Sequence, residues 1–328
     1  MKNFSSLLKC RLHVFLIRTV SIFYFLLFTF YFSDASIHRP HPEFPLEGRW
    51  DLTLSRDGKT FPSWLEVRHS GVRTLVGQFV STGGSARPIS IINFTNGKVS
   101  FSIPAQWDTV SNDLIFEGMY QGDRLTGTII DPLGKKFTFT GSRAPLLRRT
   151  KEPAWGKQIK LFNDMNLDGW HASGKNQWKV DSGMLRNPWS ESNIMTDQVF
   201  NDFKLHIEFR IPANSNSGIY LRGRYEVQIL DSKENEEPWI GGLGAIYGFI
   251  VPTEQAAKGP GQWQTFDVTL VGRLVTLVLN GKTVICNQEI PGITGGALDS
   301  QEGEPGPVMI QGDHGAVDFR NIFITPAL

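Results

Sequence analysis

The chain has 328 residues, of which 40% are hydrophobic and 20% are charged, and its formal net charge is +1. This composition excludes a disordered chain and a multi-span membrane protein, while the length suits two domains. A charge so close to zero gives no indication of a nucleic-acid partner. The 33 Gly and 18 Pro punctuate short segments, and no long helical pattern follows the N-terminus, which favours an all-β protein.

Residues 1–36 are predicted to be a targeting segment. Basic residues precede the apolar run 20–32, and Ser33 and Ala35 have the small-residue spacing that a signal peptidase accepts. The run is shorter than the roughly 20 residues that a membrane-spanning helix needs. We expect a cleaved signal peptide and a periplasmic or extracellular protein. The alternative is an uncleaved anchor, in which case only this segment enters the membrane.

The chain contains two cysteines, Cys10 and Cys286. Cys10 lies in the segment that we expect to be removed or embedded in the membrane. Cys286 would then lack a partner, so we expect no intrachain disulfide.

Residues 44–143 form eight short runs of alternating apolar and polar residues, separated by turn residues. Asn96-Gly97 is the strongest hairpin signal among these turns. The pattern predicts a small antiparallel barrel or meander. Gly48-Arg49-Trp50 resembles the Gly-x-Trp opening of lipocalin-type barrels. This domain could bind a glycan, pack against the rim of a site or mediate assembly.

Residues 144–155 have charge and proline but no strand period, and are predicted to be a linker. Residues 156–328 follow with roughly a dozen short strand patterns and long Gly-rich connections. This combination predicts two packed antiparallel sheets, a jelly-roll β-sandwich.

The stretch 203–231 contains three runs with the two-residue period of a strand. One face of each run is apolar, since successive strand side chains point to opposite sides of a sheet. The opposite faces carry an unusual density of functional groups, which would form one polar surface if the strands are neighbours. A salt-bridged outer face is the alternative. The polar residues are Glu208, Arg210, Tyr220, Arg222, Glu226 and Gln228, with Asp231 at the end of the last strand.

Several short sequence motifs, which occur in the order typical of the family, resemble the 3-keto-disaccharide hydrolase domain family over about residues 156–326. Characteristic segments are 162–164 (FND), 167–170 (LDGW), 216–223 (NSGIYLRG), 225–231 (YEVQILD), 244–247 (GAIY), 262–265 (QWQT) and 311–315 (QGDHG). One departure is Gly312, which separates Gln311 from Asp313-His314, whereas the family often has Gln-Asp-His-Gly or a similar sequence. This insertion could change the direction in which His314 points.

The resemblance implies a concanavalin-A-like jelly-roll β-sandwich with its site on the concave face. It also implies a carbohydrate substrate, a 3-keto-disaccharide or glycoside that a separate upstream glycoside 3-oxidoreductase has oxidised at C3. The C3 ketone makes the C2 proton acidic, so a general base can remove it while another group stabilises the enolate. Elimination at C1 and hydration would follow, and the paired carboxylates of ordinary glycosidases are not obligatory.

Within this chemistry, His314 or Glu226 is the candidate base at C2. Further residues are candidates for binding the substrate through hydroxyls, through the C3 oxygen or by stacking on a pyranose ring. His314 could instead be a turn residue, and Glu226 could instead pair with Arg222 as a structural ion pair. The candidates for substrate binding are Glu208, Arg222, Gln228, Asp231, Trp239, Tyr247, Gln311 and Arg320.

Three questions stay open at the level of sequence. The sequence indicates no particular cofactor, but a divalent cation is possible because carboxylates and His314 could supply ligands, although no compact ligand motif is present. A non-catalytic carbohydrate-binding protein is one alternative function. A conventional two-carboxylate glycoside hydrolase is the other, with Glu208 and Glu226 as the pair if their strands are adjacent.

Overall fold

The computed structural model describes residues 44–105, 110–235 and 237–328, so the predicted targeting segment lies outside the described residues. The described residues form strands, turns and loops and contain no helix. Accordingly, none of them belongs to a helix long and apolar enough to cross a membrane. The prediction of an all-β protein is confirmed for this part of the chain.

The first strands form a closed antiparallel barrel in which each strand pairs with the next and β8 pairs with β1. The predicted hairpin at Asn96-Gly97 is present, and both residues adopt a positive φ (50° and 77°). The prediction of a small antiparallel barrel is therefore confirmed. Its strands are β1 (Gly48–Arg56), β2 (Lys59–Ser70), β3 (Thr74–Val80), β4 (Arg87–Thr95), β5 (Lys98–Ile103), β6 (Leu114–Gln121), β7 (Arg124–Ile130) and β8 (Lys136–Arg143).

Aromatic side chains fill the barrel interior. Phe116 stacks on Phe101 with ring centroids 4.4 Å apart and lies 4.5 Å from Phe139. Trp50 is fully buried and donates its indole N–H to the carbonyl of Leu46 at 3.0 Å. The described interior is thus packed with apolar side chains.

The second part of the chain is a sandwich of two antiparallel sheets. The described five-stranded sheet has the order β10-β13-β20-β15-β16, and the larger sheet has the order β11-β12-β21-β14-β17-β18-β19, with β9 beside β21. Its strands are β9 (Ile159–Lys160), β10 (Trp170–Ala172), β11 (Lys179–Asp181), β12 (Met184–Asn187), β13 (Ile194–Thr196), β14 (Phe203–Arg210), β15 (Asn216–Leu221), β16 (Tyr225–Leu230), β17 (Gln264–Val271), β18 (Leu274–Leu279), β19 (Lys282–Glu289), β20 (Met309–Ile310) and β21 (Val317–Pro326).

The inward faces of the two sheets form one hydrophobic core, as the period-2 pattern predicts. Ile207 and Phe209 of β14 and Val227 and Ile229 of β16 are fully buried in it. Because the period is two, the residues between them face outward. On β16 those outward residues are Glu226 and Gln228, which fixes the face on which they lie.

The barrel and the sandwich belong to one compact unit, Pro40–Leu328. Arg49 of β1 donates to Glu289 at the end of β19 at 2.7 Å. Trp64 and Val80 of the barrel pack into the hydrophobic cluster of the sandwich, and Trp64 meets Phe249 edge to face. The two parts are therefore joined by apolar packing as well as by charge.

Cys286 on β19 is disulfide-bonded, so the expectation that it lacks a partner is wrong. That expectation rested on removal of the segment that carries Cys10, which lies outside the described residues.

Candidate functional site

The candidate site lies on the outer face of the five-stranded sheet, where β15 pairs with β16 and β20. Tyr220 of β15 lies opposite Glu226 of β16, and Gly218 lies opposite Gln228. On the other side of β15, Tyr220 pairs with Met309 of β20. Two hydrogen-bonded strands thus bring a carboxyl, a phenol and an amide onto one face.

Glu226 lies at the centre of this group and is 3% exposed. Its Oε2 accepts a hydrogen bond from the Tyr220 hydroxyl at 2.9 Å. Oriented with its nitrogen toward Glu226, the Gln228 amide donates to Oε1 at 3.2 Å and to the Ser217 carbonyl at 3.0 Å. A Cβ at Gly218 would lie only 2.3 Å from Glu226 Oε1, so the missing side chain leaves room for the carboxyl.

Burial raises the pKa of Glu226 to about 8, against the lowering effects of the Tyr220 hydrogen bond and of His314. Desolvation penalises the charged form of a carboxyl, so at neutral pH this group is mostly the neutral acid. The pKa of Tyr220 also lies well above its ordinary value, because of burial and the neighbouring carboxyl. Both groups therefore hold protons at neutral pH.

Two backbone segments hold Glu226 from either side. The Glu226 amide donates to Thr294 Oγ1 at 3.0 Å, and the Glu226 carbonyl accepts from the Tyr247 amide at 3.0 Å. Tyr247 lies close enough that Glu226, together with burial, raises the pKa of its phenol. On the other side, the carbonyl oxygen of Gly295 lies 3.0 Å from the Tyr220 hydroxyl oxygen.

The loop after β20 brings in an amide and a histidine. The backbone of Gln311 donates to Gly218 O at 2.9 Å, and its amide nitrogen lies 3.5 Å from the Tyr220 hydroxyl. Asn187 fixes the loop by donating to the carbonyls of Gly312 and Gly315 at 3.0 and 2.7 Å. The loop that carries the Gly312 insertion is therefore anchored to β12.

His314 and Asp313 form a pair in this loop. Their Nδ1 and Oδ1 atoms lie 2.6 Å apart, and this hydrogen bond raises the pKa of His314 above its ordinary 6.5. Both side chains are about half exposed. A carboxylate on Nδ1 favours the tautomer that leaves Nε2 as an acceptor, which suits a general base.

Trp189 and Tyr220 belong to this neighbourhood, although neither was among the candidates from sequence. The Ser190 hydroxyl donates to Asp313 O, and the Glu191 amide donates to Gly312 O at 2.9 Å. Trp189, beside them, is 57% exposed. The alternation of β15 placed Tyr220 on the polar face, but no sequence signal indicated that the loop of Trp189 would contact the backbone of Gly312 and Asp313.

Glu208 and Arg320 lie elsewhere, on the outer face of the larger sheet. Arg320 donates to Glu208 at 2.7 Å and Asn321 donates to it at 2.9 Å. Because β14 and β16 belong to different sheets, Glu208 and Glu226 are not on adjacent strands, and the condition for that two-carboxylate pair fails. Glu208 therefore lies on a salt-bridged outer face, which is the alternative considered from sequence.

Arg222 also lies away from Glu226. It has a positive φ of 54° in the turn after β15, so the strand alternation ends there. The side chain is fully buried and donates to Tyr225 Oη at 3.1 Å and Gly272 O at 2.8 Å. The ion pair between Arg222 and Glu226, considered from sequence as an alternative, is therefore not formed.

The two remaining candidates lie at the borders of β16. Asp231 accepts a hydrogen bond from the Asn214 backbone at 3.0 Å, which holds the preceding loop. Trp239 is 47% exposed, in a loop whose Ile240 carbonyl accepts a hydrogen bond from Gly248 at 3.0 Å. Glu226, Gln228, Tyr247, Gln311 and His314 are thus the candidates that the structure gathers together.

Among the described residues, no group of three or more His, Cys, Asp or Glu is arranged to hold a metal ion. A role for a divalent cation stays a prediction.

Chemically, the site combines a half-exposed imidazole with a buried carboxyl that is neutral at neutral pH. Such a pair can remove a proton at one atom and donate a hydrogen bond to a developing oxyanion at another. Carboxyl groups kept neutral by burial serve as oxyanion donors in this way. The neighbouring amides can bind hydroxyl groups, and this composition is suited to a polyhydroxylated ligand.

Comparison with known proteins assigns the sandwich to a protein family. The family model described as "3-keto-alpha-glucoside-1,2-lyase-like domain" matches residues 157–325, just over half of the chain. The chain belongs to this family, and the match supports a carbohydrate-active, glycosidase-like protein.

Three solved structures are similar to parts of the chain. One "putative glycosyl hydrolase" from Parabacteroides distasonis is 28% identical, covering 57% of this chain and 98% of its own, with a TM-score of 0.46. A second from the same organism is 20% identical over 52% and 94%, with a TM-score of 0.44. The β-glucanase of Bacillus licheniformis is 12% identical over 55% and 100%, with a TM-score of 0.33. No match was found among curated proteins.

Proposed function

We propose that this protein cleaves 3-keto-glycosides by proton abstraction at C2, elimination at C1 and hydration. The observation that carries the proposal is the convergence of the Asp313–His314 pair with the buried acid Glu226 on one face of the family domain. The groups lie close enough that His314 lowers the pKa of Glu226.

In the proposed reaction, His314 Nε2 removes the C2 proton. The electron pair of the C2–H bond forms the C2–C3 double bond of an enolate, and the negative charge moves onto the C3 oxygen. Glu226, as the neutral acid, donates a hydrogen bond to that oxygen. Tyr220 and Gln228 hold the Glu226 carboxyl in place.

The enolate then re-forms the ketone and expels the oxygen at C1, leaving a C1–C2 double bond. The imidazolium of His314 returns its proton to the departing oxygen. Water adds at C1 of the resulting enone and C2 regains a proton, so the overall reaction is hydrolysis. Because no oxocarbenium ion forms, this route does not need the opposed pair of carboxylates that other glycosidases use.

The setting of the reaction is also part of the proposal. We infer that the chain is exported through the segment 1–36 and works in the periplasm or outside the cell. Its substrate must come from a reaction that oxidises the C3 hydroxyl of a glycoside, which is the chemistry of a glycoside 3-oxidoreductase.

The first test is a paired assay of purified protein on a plain disaccharide and on its 3-keto form, with product release followed by mass. We expect cleavage of the keto form alone. Cleavage of the plain form would favour a conventional glycosidase, and binding without cleavage of either would leave a sugar-binding protein.

The pH dependence of kcat/KM distinguishes the role of His314 from that of Glu226. Activity requires His314 deprotonated and Glu226 protonated, so the profile should fall on the acid side through the raised pKa of His314 and on the alkaline side near pH 8.

Glu226→Gln keeps a donor but cannot ionise, and should lose the alkaline limb at a cost of about tenfold in rate. His314→Ala should lose the acid limb and roughly 10²–10⁴ in rate. Unchanged profiles in both variants would remove these two residues from the mechanism.

A further inference from the structure

The connection between β3 and β4 of the barrel reaches the two backbone segments that hold Glu226. A Cβ at Gly248 would lie 2.8 Å from Ser85 Cβ, and a Cβ at Gly295 would lie 2.2 Å from Gly84 O. Contacts this close mean that residues 81–86 lie directly against both segments. We call residues 81–86 the barrel loop.

Gly248 and Gly295 are neighbours of the groups that define the site. Gly248 follows Tyr247, whose amide donates to the Glu226 carbonyl at 3.0 Å. The carbonyl oxygen of Gly295 lies 3.0 Å from the Tyr220 hydroxyl oxygen. The barrel loop therefore spans between the two sides of the Glu226 environment, and it comes from a part of the chain that the family match does not cover.

The barrel loop is anchored at both ends. Val80, just before it, and Trp64 on the neighbouring strand β2 are buried in the hydrophobic cluster of the sandwich, against which Ala86 also packs. Thr82 and Gly83 at its tip remain exposed. The loop thus combines fixed ends with a polar tip that is free to contact a ligand.

We propose that the barrel loop forms one wall of the substrate site, with Thr82 contacting the part of the glycoside that extends beyond the keto sugar. This inference rests on the proposed function, because it concerns the same site. Its consequence is that the barrel sets which leaving groups are accepted. Hydroxyl and backbone groups of this loop suit a second sugar, which offers hydroxyls on all sides.

The test compares Thr82→Trp with Val72→Trp as a matched control. Val72 lies in the β2–β3 hairpin at the opposite end of the barrel and is 82% exposed. Both variants place the same bulky side chain at an exposed turn, so both should retain the melting temperature of the parent. Substrates are a 3-keto-disaccharide and the methyl 3-keto-glucoside, which has the same keto sugar with a minimal leaving group.

We expect Thr82→Trp to lower kcat/KM for the disaccharide at least tenfold, about 1.4 kcal/mol, while the methyl glycoside changes less than threefold. Val72→Trp should leave both values unchanged. Equal activity of Thr82→Trp and its control on the disaccharide would overturn the inference and leave the proposed function standing. An equal loss of activity on both substrates would also overturn it, since the effect would not concern the leaving group.

A binding measurement separates the inference from the proposed function. Calorimetry with the keto and plain disaccharides is performed on the wild type and both variants. If the wild type binds a disaccharide without cleaving it, the proposed chemistry fails. A tenfold weaker binding by Thr82→Trp alone would then still support the barrel loop as a wall of the site, and unchanged binding would overturn it. If the wild type neither binds nor cleaves, both proposals fall.

Discussion

The protonation state of Glu226 is set by residues that touch it. Burial pushes its pKa to about 8, while the Tyr220 hydroxyl lowers the pKa by stabilising the charged form. Gly218 makes the arrangement possible because any side chain there would collide with Glu226 Oε1. The neutral form of Glu226 at neutral pH therefore results mainly from its burial, with a smaller contribution from the negative charge of Asp313.

Tyr220→Phe tests this account at the level of one hydrogen bond. Loss of the hydroxyl removes a donor to the ionised form, so the pKa of Glu226 rises and the alkaline limb of kcat/KM moves to higher pH. The rate below the limb should fall roughly fivefold, as expected for one hydrogen bond worth about 1 kcal/mol. The readout is the pH profile on the 3-keto-disaccharide.

Tyr120→Phe in the barrel is the control for that experiment, because Tyr120 packs on Trp50 and does not touch Glu226. Its profile should match the wild type. A Tyr220→Phe profile with an unmoved alkaline limb would mean that Glu226 does not produce that limb.

At the scale of the strands, the period-2 pattern determined which residues face outward but not which strands are neighbours. The pattern correctly placed Glu226 and Gln228 on one face. It could not separate Glu208 from them, because the assignment of β14 to the other sheet depends on long-range pairing with β17 and β21. The alternation also placed Arg222 on this polar face, whereas the strand ends before Arg222, which has a positive φ.

The same limit applies to loops. The Asn96-Gly97 hairpin was predictable because its turn chemistry is local. The contact of Ser190 with Asp313 was not, since loops that meet from distant parts of the chain leave no periodic signal. Motif resemblance supplied His314, which the strand pattern alone would have left in a turn.

Glu208→Gln tests the separation of the two sheets. Although burial raises the pKa of Glu208, hydrogen bonds from Asn321 and Arg320 bring it below its ordinary value. Such a group stabilises the fold above the unfolded-state pKa, near 4.5, and the benefit disappears as the pH falls through the folded-state pKa. The variant should lose about 1 kcal/mol or less at pH 7, and this loss should shrink as the pH falls through the folded-state pKa of Glu208, measured by denaturant unfolding.

Its kcat/KM should remain within about twofold of the wild type, since Glu208 lies on the larger sheet and contacts Arg320 rather than the site. A large loss of activity with an unchanged fold would return Glu208 to the list of substrate-binding residues.

For the whole molecule, the junction of barrel and sandwich contains a buried cluster of charges. Glu302 of the sandwich is fully buried and accepts hydrogen bonds from Arg273 and from the Tyr225 hydroxyl, the latter at 2.8 Å. Asp51 of β1 lies beside it, and burial together with the charge of Glu302 raises the pKa of Asp51 to about 9. Two carboxyl groups can be buried side by side because one of them keeps its proton.

This cluster makes the stability of the molecule dependent on pH. Below about pH 4, Asp51 is protonated in both the folded and the unfolded chain and has no effect. As the pH rises toward 9, the unfolded chain releases this proton while the folded chain retains it, so the free energy of unfolding falls. The free energy of unfolding should therefore fall between about pH 4 and pH 9, and Asp51 at the barrel–sandwich junction contributes to that fall.

Asp51→Asn removes this dependence, because an amide can donate to Glu302 as the protonated acid does but cannot ionise. At pH 8 we expect the variant to melt roughly 10 °C higher than the wild type, because about four pH units above the unfolded-state pKa correspond to about 5 kcal/mol. At pH 4 the two should melt together. Ser55→Asn is the control, since it introduces the same side chain elsewhere on β1, and it should have the melting temperature of the wild type at both pH values. A variant that is destabilised equally at pH 4 and pH 8 would show that Asp51 contributes packing rather than a bound proton, and the pH dependence of the junction would then need another carboxyl.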